Sequence, residues 1–313
     1  MRNKFRGRDF LTLMDFTKEE VNFILETASN LKVKWAQREP HEYLRGKCCA
    51  MIFEKKSTRT RTSFQAGAAQ LGAQTFYMRP EEMQLSRGEP IKDTARIIDR
   101  YCDGLFIRTF GQEIVEEFAR YMKNPVINAL TALTHPCQGL ADLLTIKEKK
   151  GCFKGLKLAY TGDVYNVCHT LLIGCSMMGI DIYVARPEGY DVDRKVLEVA
   201  QKNIELSGSK IVFTSDIRKA VEDADIVYAN VWTSMGSHED EEREQRIKDF
   251  KPYQISMELI KRSKKDVIFM HCLPAHRGEE ITDEVIESKY SVVWDQGENR
   301  MHTEKAVLVL TFY

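Results

Sequence analysis

The chain has 313 residues, of which 43% are apolar, and this length predicts about two domains with ordinary hydrophobic cores. Its 46 basic and 46 acidic residues leave a net charge of zero, so nothing in the composition favours a nucleic acid or a membrane surface as a partner. The sequence contains neither an apolar run long enough to span a bilayer nor a signal peptide, and its cysteines lack C-x-x-C spacing. We therefore expect a cytoplasmic protein.

The first half of the chain alternates predicted helices and strands. A helix capped by Thr17 comes first, and the apolar run Cys48–Phe53 then predicts a buried strand that is followed by another helix. Further strands are predicted at 74–78, 104–107 and 124–128. Alternation of this kind indicates a mainly parallel sheet that is flanked by helices.

A charged run that ends in a glycine, 147–151, predicts a boundary between two domains, 1–147 and 148–313. Beyond it the alternation restarts, and a last helix, 298–310, is long enough to pack back on the first domain. Strands are predicted at 156–160, 181–185, 211–214, 226–231, 267–270 and 291–294. The predicted fold class is therefore α/β, with a parallel sheet in each domain and the active site in the cleft between them.

Hydroxyl and guanidinium side chains crowd the turn after the strand Cys48–Phe53. Ser57, Thr58 and Thr60 offer O–H donors, and Arg59 offers a planar fork that matches phosphate oxygens. The N-terminus of the helix that follows adds unpaired N–H groups and a partial positive charge. A capped helix start with solvated arginines is the alternative. The density of donors favours a phosphate site.

Other polar residues also follow predicted strands, where ligands bind in open parallel sheets. In the first half these are Arg108, His135 and Gln138, and in the second half they include Asn166 and Asn230. Simpler explanations exist for some of them, because an arginine after a strand often forms a surface ion pair and a histidine before proline often belongs to a turn. Polar strand ends in both halves agree with a ligand site that uses both domains.

His271, Cys272 and His276 lie close together in the sequence and are candidate metal ligands. Their spacing matches no zinc signature. A turn with a cis-proline at Leu273-Pro274 accounts for the sequence equally well, and Cys272 is also compatible with a core thiol. We therefore predict no metal site.

Four segments together resemble the aspartate/ornithine carbamoyltransferase family and span nearly the whole chain in the order of that family. They are Ser57-Thr58-Arg59-Thr60-Arg61, Arg108-Thr109, His135-Pro136-x-Gln138 and His271-Cys272-Leu273-Pro274. The last of these segments and Ser234-Met235-Gly236 resemble the ornithine branch, because the aspartate branch lacks both.

The resemblance implies an enzyme that moves the carbamoyl group of carbamoyl phosphate to the side-chain amine of L-ornithine and gives L-citrulline and phosphate. It implies no metal or organic cofactor, and it implies a homotrimer or a multiple of trimers, in which Gln84 lies on a loop that reaches a neighbouring subunit's site. The implied carbamoyl-phosphate residues are Ser57, Thr58, Arg59, Thr60, Gln84, Arg108, His135, Gln138, Cys272, Leu273 and Arg300. Among these, the implied catalytic residues are Arg108, His135, Cys272 and Arg300. The implied ornithine residues are Asn166, Asn230, Ser234 and Met235.

The chain departs from the pattern of the ornithine branch in two places. That branch usually has aspartate where this chain has Asn230, and it usually reads Gly-Asn where this chain reads Val164-Tyr165. Another amine acceptor such as putrescine therefore stays open, although the retained Ser234-Met235-Gly236 favours ornithine. A non-catalytic homologue that binds anionic metabolites is a further alternative, and the complete set of phosphate residues argues against it.

Overall fold

The structure is a computed structural model that describes residues 4–233 and 240–313. The chain divides into two compact units. We call Met1–Leu144 together with Glu298–Tyr313 unit 1, and Thr145–Gly297 unit 2. The final segment of the chain thus belongs to the same unit as the N-terminal half.

Unit 1 is built on a four-stranded parallel sheet. Its strands are β1 (Cys48–Phe53), β2 (Gln74–Met78), β3 (Gly104–Arg108) and β4 (Val126–Leu130), in the order β2-β1-β3-β4. The helices that begin in this half are α1 (Lys18–Ala36), α2 (Arg59–Gln70), α3 (Ile91–Tyr101), α4 (Gln112–Tyr121) and α5 (Pro136–Lys150). Short 3-10 helices lie at Leu13–Asp15, Pro80–Glu82 and Gln84–Arg87.

Local sequence explains how the elements of unit 1 begin and pack. Thr17 and Glu20 form a reciprocal capping box at the start of α1, as the sequence predicts. One face of the sheet packs on α3 and α4 through a buried apolar cluster that includes Ile52 and Phe118. The rings of Phe64 and Phe106 stack with their centroids 4.5 Å apart. These contacts hold the carboxyl ends of the strands in place.

Unit 2 is built on a five-stranded parallel sheet. Its strands are β5 (Lys157–Thr161), β6 (Asp181–Ala185), β7 (Ile211–Thr214), β8 (Ile226–Ala229) and β9 (Ile268–His271), in the order β7-β6-β5-β8-β9. The remaining helices are α6 (Asn166–Met178), α7 (Arg194–Ser207), α8 (Ile217–Val221), α9 (Asp240–Phe250), α10 (Met257–Ile260), α11 (Asp283–Ile286) and α12 (Val293–Phe312), and a 3-10 helix lies at Lys251–Tyr253. The helix α12 starts in unit 2 and continues into unit 1.

The strand order reverses once in each sheet. In unit 1 the chain proceeds from β1 outward to β2 and then returns to the other side of β1 as β3. In unit 2 it proceeds from β5 through β6 to β7 and returns beside β5 as β8. Open parallel sheets bind ligands at such reversal points, just outside the carboxyl ends of the two central strands. These points are therefore where ligand-binding side chains are expected.

The predicted fold class is confirmed, because both units are parallel α/β sheets that are flanked by helices. The strand predicted at 291–294 is wrong: Ser291 makes only an isolated bridge to Phe269, and α12 begins at Val293. A short apolar run does not distinguish a strand from the buried face of a helix, which explains the error. No helix in the described part of the chain is long and apolar enough to cross a membrane.

Replacing Gly162, directly after β5, should destabilise unit 2 strongly. Its φ is +121°, and an added Cβ would lie 2.2 Å from the carbonyl oxygen of Asn230, at the end of β8. Because a rigid backbone atom blocks the space, we expect Gly162→Ala to lower the free energy of unfolding by about 3–5 kcal/mol. Urea denaturation followed by circular dichroism measures the loss.

Gly189→Ala is the matched control for this change. Gly189 also has a positive φ, +86°, but an added Cβ there would meet nothing within 4 Å. The control should therefore cost only the left-handed conformation, about 1–2 kcal/mol. Equal losses for the two variants would contradict the close approach of Gly162 to β8.

Candidate functional site

The loop after β1 and the end of β3 meet at the reversal point of unit 1. Arg108 is the last residue of β3, and its Nη1 donates to Ser57 Oγ at 3.0 Å. Thr58 directly precedes α2 and gives no side-chain hydrogen bond to the start of that helix. Because Thr58 does not cap the helix with its side chain, the first N–H groups of α2 can donate to other acceptors. Hydroxyls, a guanidinium and a helix N-terminus occupy one place, which suits a phosphate group.

Arg300 links three helices of unit 1 through buried hydrogen bonds. Its Nη2 donates to Thr60 Oγ1 on α2 at 2.8 Å, and its Nη1 donates to Gln138 Oε1 on α5 at 2.7 Å. Because the oxygen of Thr60 accepts from Arg300, its O–H remains available as a donor to a ligand. Gln138 in turn donates to Asp142 Oδ1 at 2.8 Å, which fixes the orientation of the amide.

His135 is buried and surrounded by positive charge. Burial holds the pKa of this imidazole well below its usual range, and Arg300, Arg108 and Arg59 lower it further. The imidazole is therefore neutral at physiological pH and can act as a hydrogen-bond donor or acceptor but not as a cation. Three guanidiniums therefore lie close enough to act on this imidazole, and positive surroundings of this kind favour an anionic ligand.

Glu54, at the exit of β1, is fixed beside this positive region. Its Oε2 accepts from Thr109 Oγ1 at 2.7 Å and from the N–H of Phe110 at 3.2 Å. Lys55 places its ammonium 3.6 Å from the centroid of the Phe110 ring, and burial, followed by the charge of Arg108, lowers the pKa of this lysine. The carboxylate thus stabilises the loop through Thr109 and Phe110.

Glu304 is a residue of this site that the sequence analysis missed. It is fully buried one helical turn after Arg300, and its Oε1 accepts from Nε and Nη2 of that arginine at 3.3 and 3.2 Å. Burial raises the pKa of Glu304 to about 7, and Arg300 acts in the opposite direction. The spacing of four residues on one helix was the available signal, since such residues share a face.

The reversal point of unit 2 places Asn230 directly after β8. Its Oδ1 accepts from the N–H of Val231 at 2.9 Å and from Cys272 Sγ at 3.2 Å. Its Nδ2 donates to the hydroxyl of Tyr160 at 3.1 Å, and that hydroxyl donates to the carbonyl oxygen of Asp163 at 2.6 Å. The structure thus brings together Asn230 and Cys272, two of the sequence-predicted residues, and adds Tyr160, which the sequence analysis missed.

The loop after β9 is fixed by His271. Its Nδ1 accepts from the N–H of Leu273 at 2.8 Å, so its Nε2 carries the hydrogen and donates to the buried carboxylate of Glu280 at 3.0 Å. The peptide bond between Leu273 and Pro274 is cis, which agrees with the cis-proline explanation for this segment. Both ring nitrogens of His271 are therefore engaged in positioning the chain that carries Cys272 and Leu273.

The remaining predicted residues lie in several places. Asn166 is buried at the first position of α6, close in sequence to the reversal point of unit 2. Gln84 lies exposed on the 3-10 helix Gln84–Arg87. Ser234 and Met235 lie outside the described residues.

Family models match both halves of the chain. Residues 8–148 match the carbamoyl-P binding domain of aspartate/ornithine carbamoyltransferase, and residues 154–311 match the Asp/Orn binding domain of the same family. The chain therefore belongs to the aspartate/ornithine carbamoyltransferase family, and the resemblance in its motifs is confirmed.

Individual relatives are similar over nearly the whole chain. The ornithine carbamoyltransferase of Pyrococcus horikoshii is 50% identical over 305 residues, which cover 97% of this chain and 96% of that protein. The anabolic ornithine carbamoyltransferase of Pyrococcus furiosus is 51% identical over 304 residues, with the same coverage. A solved structure of ornithine carbamoyltransferase from Pyrococcus furiosus has a TM-score of 0.95 at 50% identity and covers 98% of both chains. Ornithine transcarbamoylase from Giardia lamblia has a TM-score of 0.88 at 30% identity, also with 98% of both chains covered.

The raised pKa of Glu304 should give a pH-dependent contribution to stability. Between the ordinary pKa of 4.5 and about 7, the folded protein keeps a proton that the unfolded chain has lost. This contribution is therefore fully present below about pH 4.5, falls as the pH rises to about 7 and then stays constant. Relative to Glu304→Gln, the wild type should lose on the order of 3 kcal/mol of stability between pH 4.5 and 8.

Urea unfolding of both proteins at a series of pH values measures this difference. Glu26→Gln, at an exposed position of α1, is the matched control for the loss of one carboxylate. If the wild type instead gained stability relative to Glu304→Gln as the pH rose, Arg300 would outweigh burial and the assigned direction of the pKa shift would be wrong.

Proposed function

We propose that the protein is an ornithine carbamoyltransferase, which transfers the carbamoyl group of carbamoyl phosphate to the side-chain amine of L-ornithine and releases L-citrulline and phosphate. The observation that carries the proposal is the group of Arg59, Arg108 and Arg300 around the buried, neutral His135 at the reversal point of unit 1. Family membership and relatives that are named ornithine carbamoyltransferases support it.

In this proposal the phosphate group binds at the N-terminus of α2. Its oxygens accept hydrogen bonds from the backbone there and from the side chains of Ser57, Thr58, Arg59, Thr60 and Arg108. The hydrogen bond from Arg108 to Ser57 keeps these two donors together before the ligand binds. Charge-assisted hydrogen bonds of this kind are about twice as strong as neutral ones. They suit a phosphate group, which carries negative charge both when the substrate binds and when phosphate leaves.

The carbamoyl oxygen accepts hydrogen bonds from His135, Arg108 and Arg300. Attack of a neutral amine on the carbonyl carbon builds negative charge on that oxygen, and each well-placed donor stabilises the charge by about 3 kcal/mol. Arg300 also fixes the amide of Gln138, and in this proposal the second hydrogen on Nε2 of that amide donates to the carbamoyl group. A neutral His135 donates a hydrogen bond without repelling the neighbouring guanidiniums.

The amine acceptor binds to unit 2 in this proposal. Asn166, Asn230, Ser234 and Met235 contact the amino-acid head group. Cys272 and the backbone of Leu273 contact the carbamoyl group beside the attacking amine. Support for these roles comes from the family resemblance and from the hydrogen bond that joins Cys272 to Asn230.

We further propose a cytoplasmic homotrimer, or a multiple of trimers, that acts in arginine biosynthesis. The exposed position of Gln84 on its own chain supports a role of that side chain in a neighbouring subunit. The name of the anabolic relative from Pyrococcus furiosus supports the biosynthetic direction.

The choice of acceptor gives the direct test of this function. Incubated with carbamoyl phosphate and, separately, ornithine, putrescine, lysine, acetylornithine and aspartate, the protein should form its ureido product fastest with ornithine. Arg59→Ala serves as the control that links turnover to the phosphate site, and it should raise the KM for carbamoyl phosphate. Faster turnover of putrescine than of ornithine would show that putrescine is the acceptor. No turnover of any amine would favour a non-catalytic homologue.

Asn230→Asp should strengthen the binding of ornithine. A carboxylate pairs with an α-ammonium group more strongly than an amide does, so the KM for ornithine should fall about tenfold, equivalent to about 1.4 kcal/mol. The KM for carbamoyl phosphate should barely change. Steady-state kinetics with each substrate varied in turn measures both values. An unchanged KM for ornithine would show that the ammonium does not contact position 230.

Mixing two inactive variants tests the role of Gln84 in a neighbouring subunit. Gln84→Ala and Arg108→Ala chains, unfolded together and reassembled, should regain activity, because one chain supplies an intact Arg108 and its neighbour an intact Gln84. In a random trimer about one quarter of the sites would combine the two intact residues. Absence of rescue in mixed trimers verified by mass spectrometry would contradict the shared site.

A further inference from the structure

The loop after β9 brings together an imidazole and two carboxylates to which no role in the proposed reaction has been assigned. The side chains are those of His276, Glu279 and Glu280, and we call them the 276–280 cluster. Their potential ligand atoms all lie within 4.8 Å of one another. His276 Nδ1 lies 3.7 Å from Glu279 Oε2 and 3.9 Å from Glu280 Oε2. One nitrogen and two carboxylate oxygens therefore converge.

Glu280 is the best defined member of the cluster. Its side chain is completely buried, and its Oε1 accepts from His271 Nε2 at 3.0 Å and from the N–H of His276 at 2.7 Å. Its Oε2 forms no hydrogen bond with the described residues, and neither does the His276 Nδ1 that it faces. A buried carboxylate oxygen without a hydrogen-bond partner destabilises the folded protein. A cation bound by Glu280 Oε2 and His276 Nδ1 would remove that destabilisation.

The backbone holds the cluster in position. The N–H of Glu279 donates to the carbonyl oxygen of His276 at 2.9 Å, which closes a turn through Gly278, whose φ is +93°. Gln254 Nε2 donates to the carbonyl oxygens of Gly278 and Glu279 at 2.7 and 2.5 Å. The turn places the side chains of its first and last residues on the same side.

We propose that the 276–280 cluster binds a divalent transition-metal ion of the zinc type, with His276 Nδ1, Glu279 Oε2 and Glu280 Oε2 as ligands and water as the fourth. Two carboxylates balance the charge of the ion. Tetrahedral zinc keeps such ligand atoms about 3.3 Å apart, so the two distances from His276 Nδ1 would shorten by about half an ångström and the two carboxylates would close on the same ion. The hydrogen bonds from His271 and from the His276 backbone orient the carboxylate of Glu280, as outer partners do for metal ligands.

The chemistry of the ligands favours zinc over magnesium or calcium. Imidazole is a ligand of zinc, copper and nickel, whereas magnesium and calcium prefer a shell made wholly of oxygen. The side chains of His276 and Glu279 are 38% and 34% exposed, which gives an ion access from solvent. This proposal departs from the sequence-based expectation of no metal site, which paired His276 with the wrong neighbours: His271 is engaged with Glu280 and Leu273, and Cys272 with Asn230.

Direct contact between His276 and the two carboxylates, without a metal ion, is the competing arrangement. It requires no ion and leaves the protein without appreciable zinc affinity. Zinc binding and its dependence on His276 and Glu279 therefore separate the two arrangements.

The test is calorimetric titration of the chelator-treated, full-length protein with zinc chloride at pH 7.5, with magnesium chloride as the comparison ion. Cobalt chloride is added in a parallel titration, because its visible absorption reports tetrahedral coordination. The variants His276→Asn and Glu279→Gln remove one ligand each. Glu287→Gln, which removes an exposed carboxylate that pairs with Arg277, is the matched control, and Cys272→Ser excludes binding by the thiol.

The wild type should bind one zinc ion per chain and should bind magnesium far more weakly. His276→Asn and Glu279→Gln should each weaken zinc binding at least tenfold, whereas Glu287→Gln and Cys272→Ser should match the wild type. Glu279 is partly exposed, so its variant tests the proposal even if His276→Asn fails to fold. The proposal is overturned if the wild type takes up no zinc, if both ligand variants bind it unchanged, or if Cys272→Ser abolishes binding.

Discussion

The buried guanidinium of Arg300 is the group on which the arrangement of unit 1 depends most. A charge that has lost its water is tolerated only where hydrogen bonds and an opposite charge replace the lost solvation. Thr60, Gln138 and Glu304 provide these, and they come from α2, α5 and α12. Any shift of one helix would break a charge-assisted hydrogen bond in a place that water does not reach. One side chain thus fixes the relative positions of the three helices that carry the proposed carbamoyl-phosphate residues.

Three guanidiniums of the same region act on one buried imidazole. Arg59, Arg108 and Arg300 all lower the pKa of His135, and Glu304 is an incomplete counter-charge because burial holds its pKa near 7. Like charges in a buried place destabilise the folded protein until an anion joins them. A dianionic ligand would therefore stabilise unit 1 while it binds, and the neutral state of His135 limits the repulsion in its absence.

Much of the fold could be predicted from the sequence, because apolar runs bounded by charged residues mark buried parallel strands. The bounds of β1 and β2 match the predicted ones, whereas the run at 291–294 was too short to distinguish a strand from the start of α12. The motif residues of unit 1 could be picked out by their position after strands. Their partners could not: Glu304 and Asp142 gain their roles from contacts that only the packing of α12 and α5 creates.

The geometry around Asn230 limits what that residue can offer to an acceptor. An amide oxygen has two lone pairs, and here Val231 and Cys272 use both. The amide nitrogen keeps one hydrogen after it donates to Tyr160. An ammonium group could reach the oxygen of Asn230 only by displacing the thiol of Cys272, and an S–H group is a weak donor that gives way at little cost. The residue that departs from the ornithine pattern is thus still able to accept an amino-acid ammonium, and doing so would release the thiol of Cys272 from its hydrogen bond.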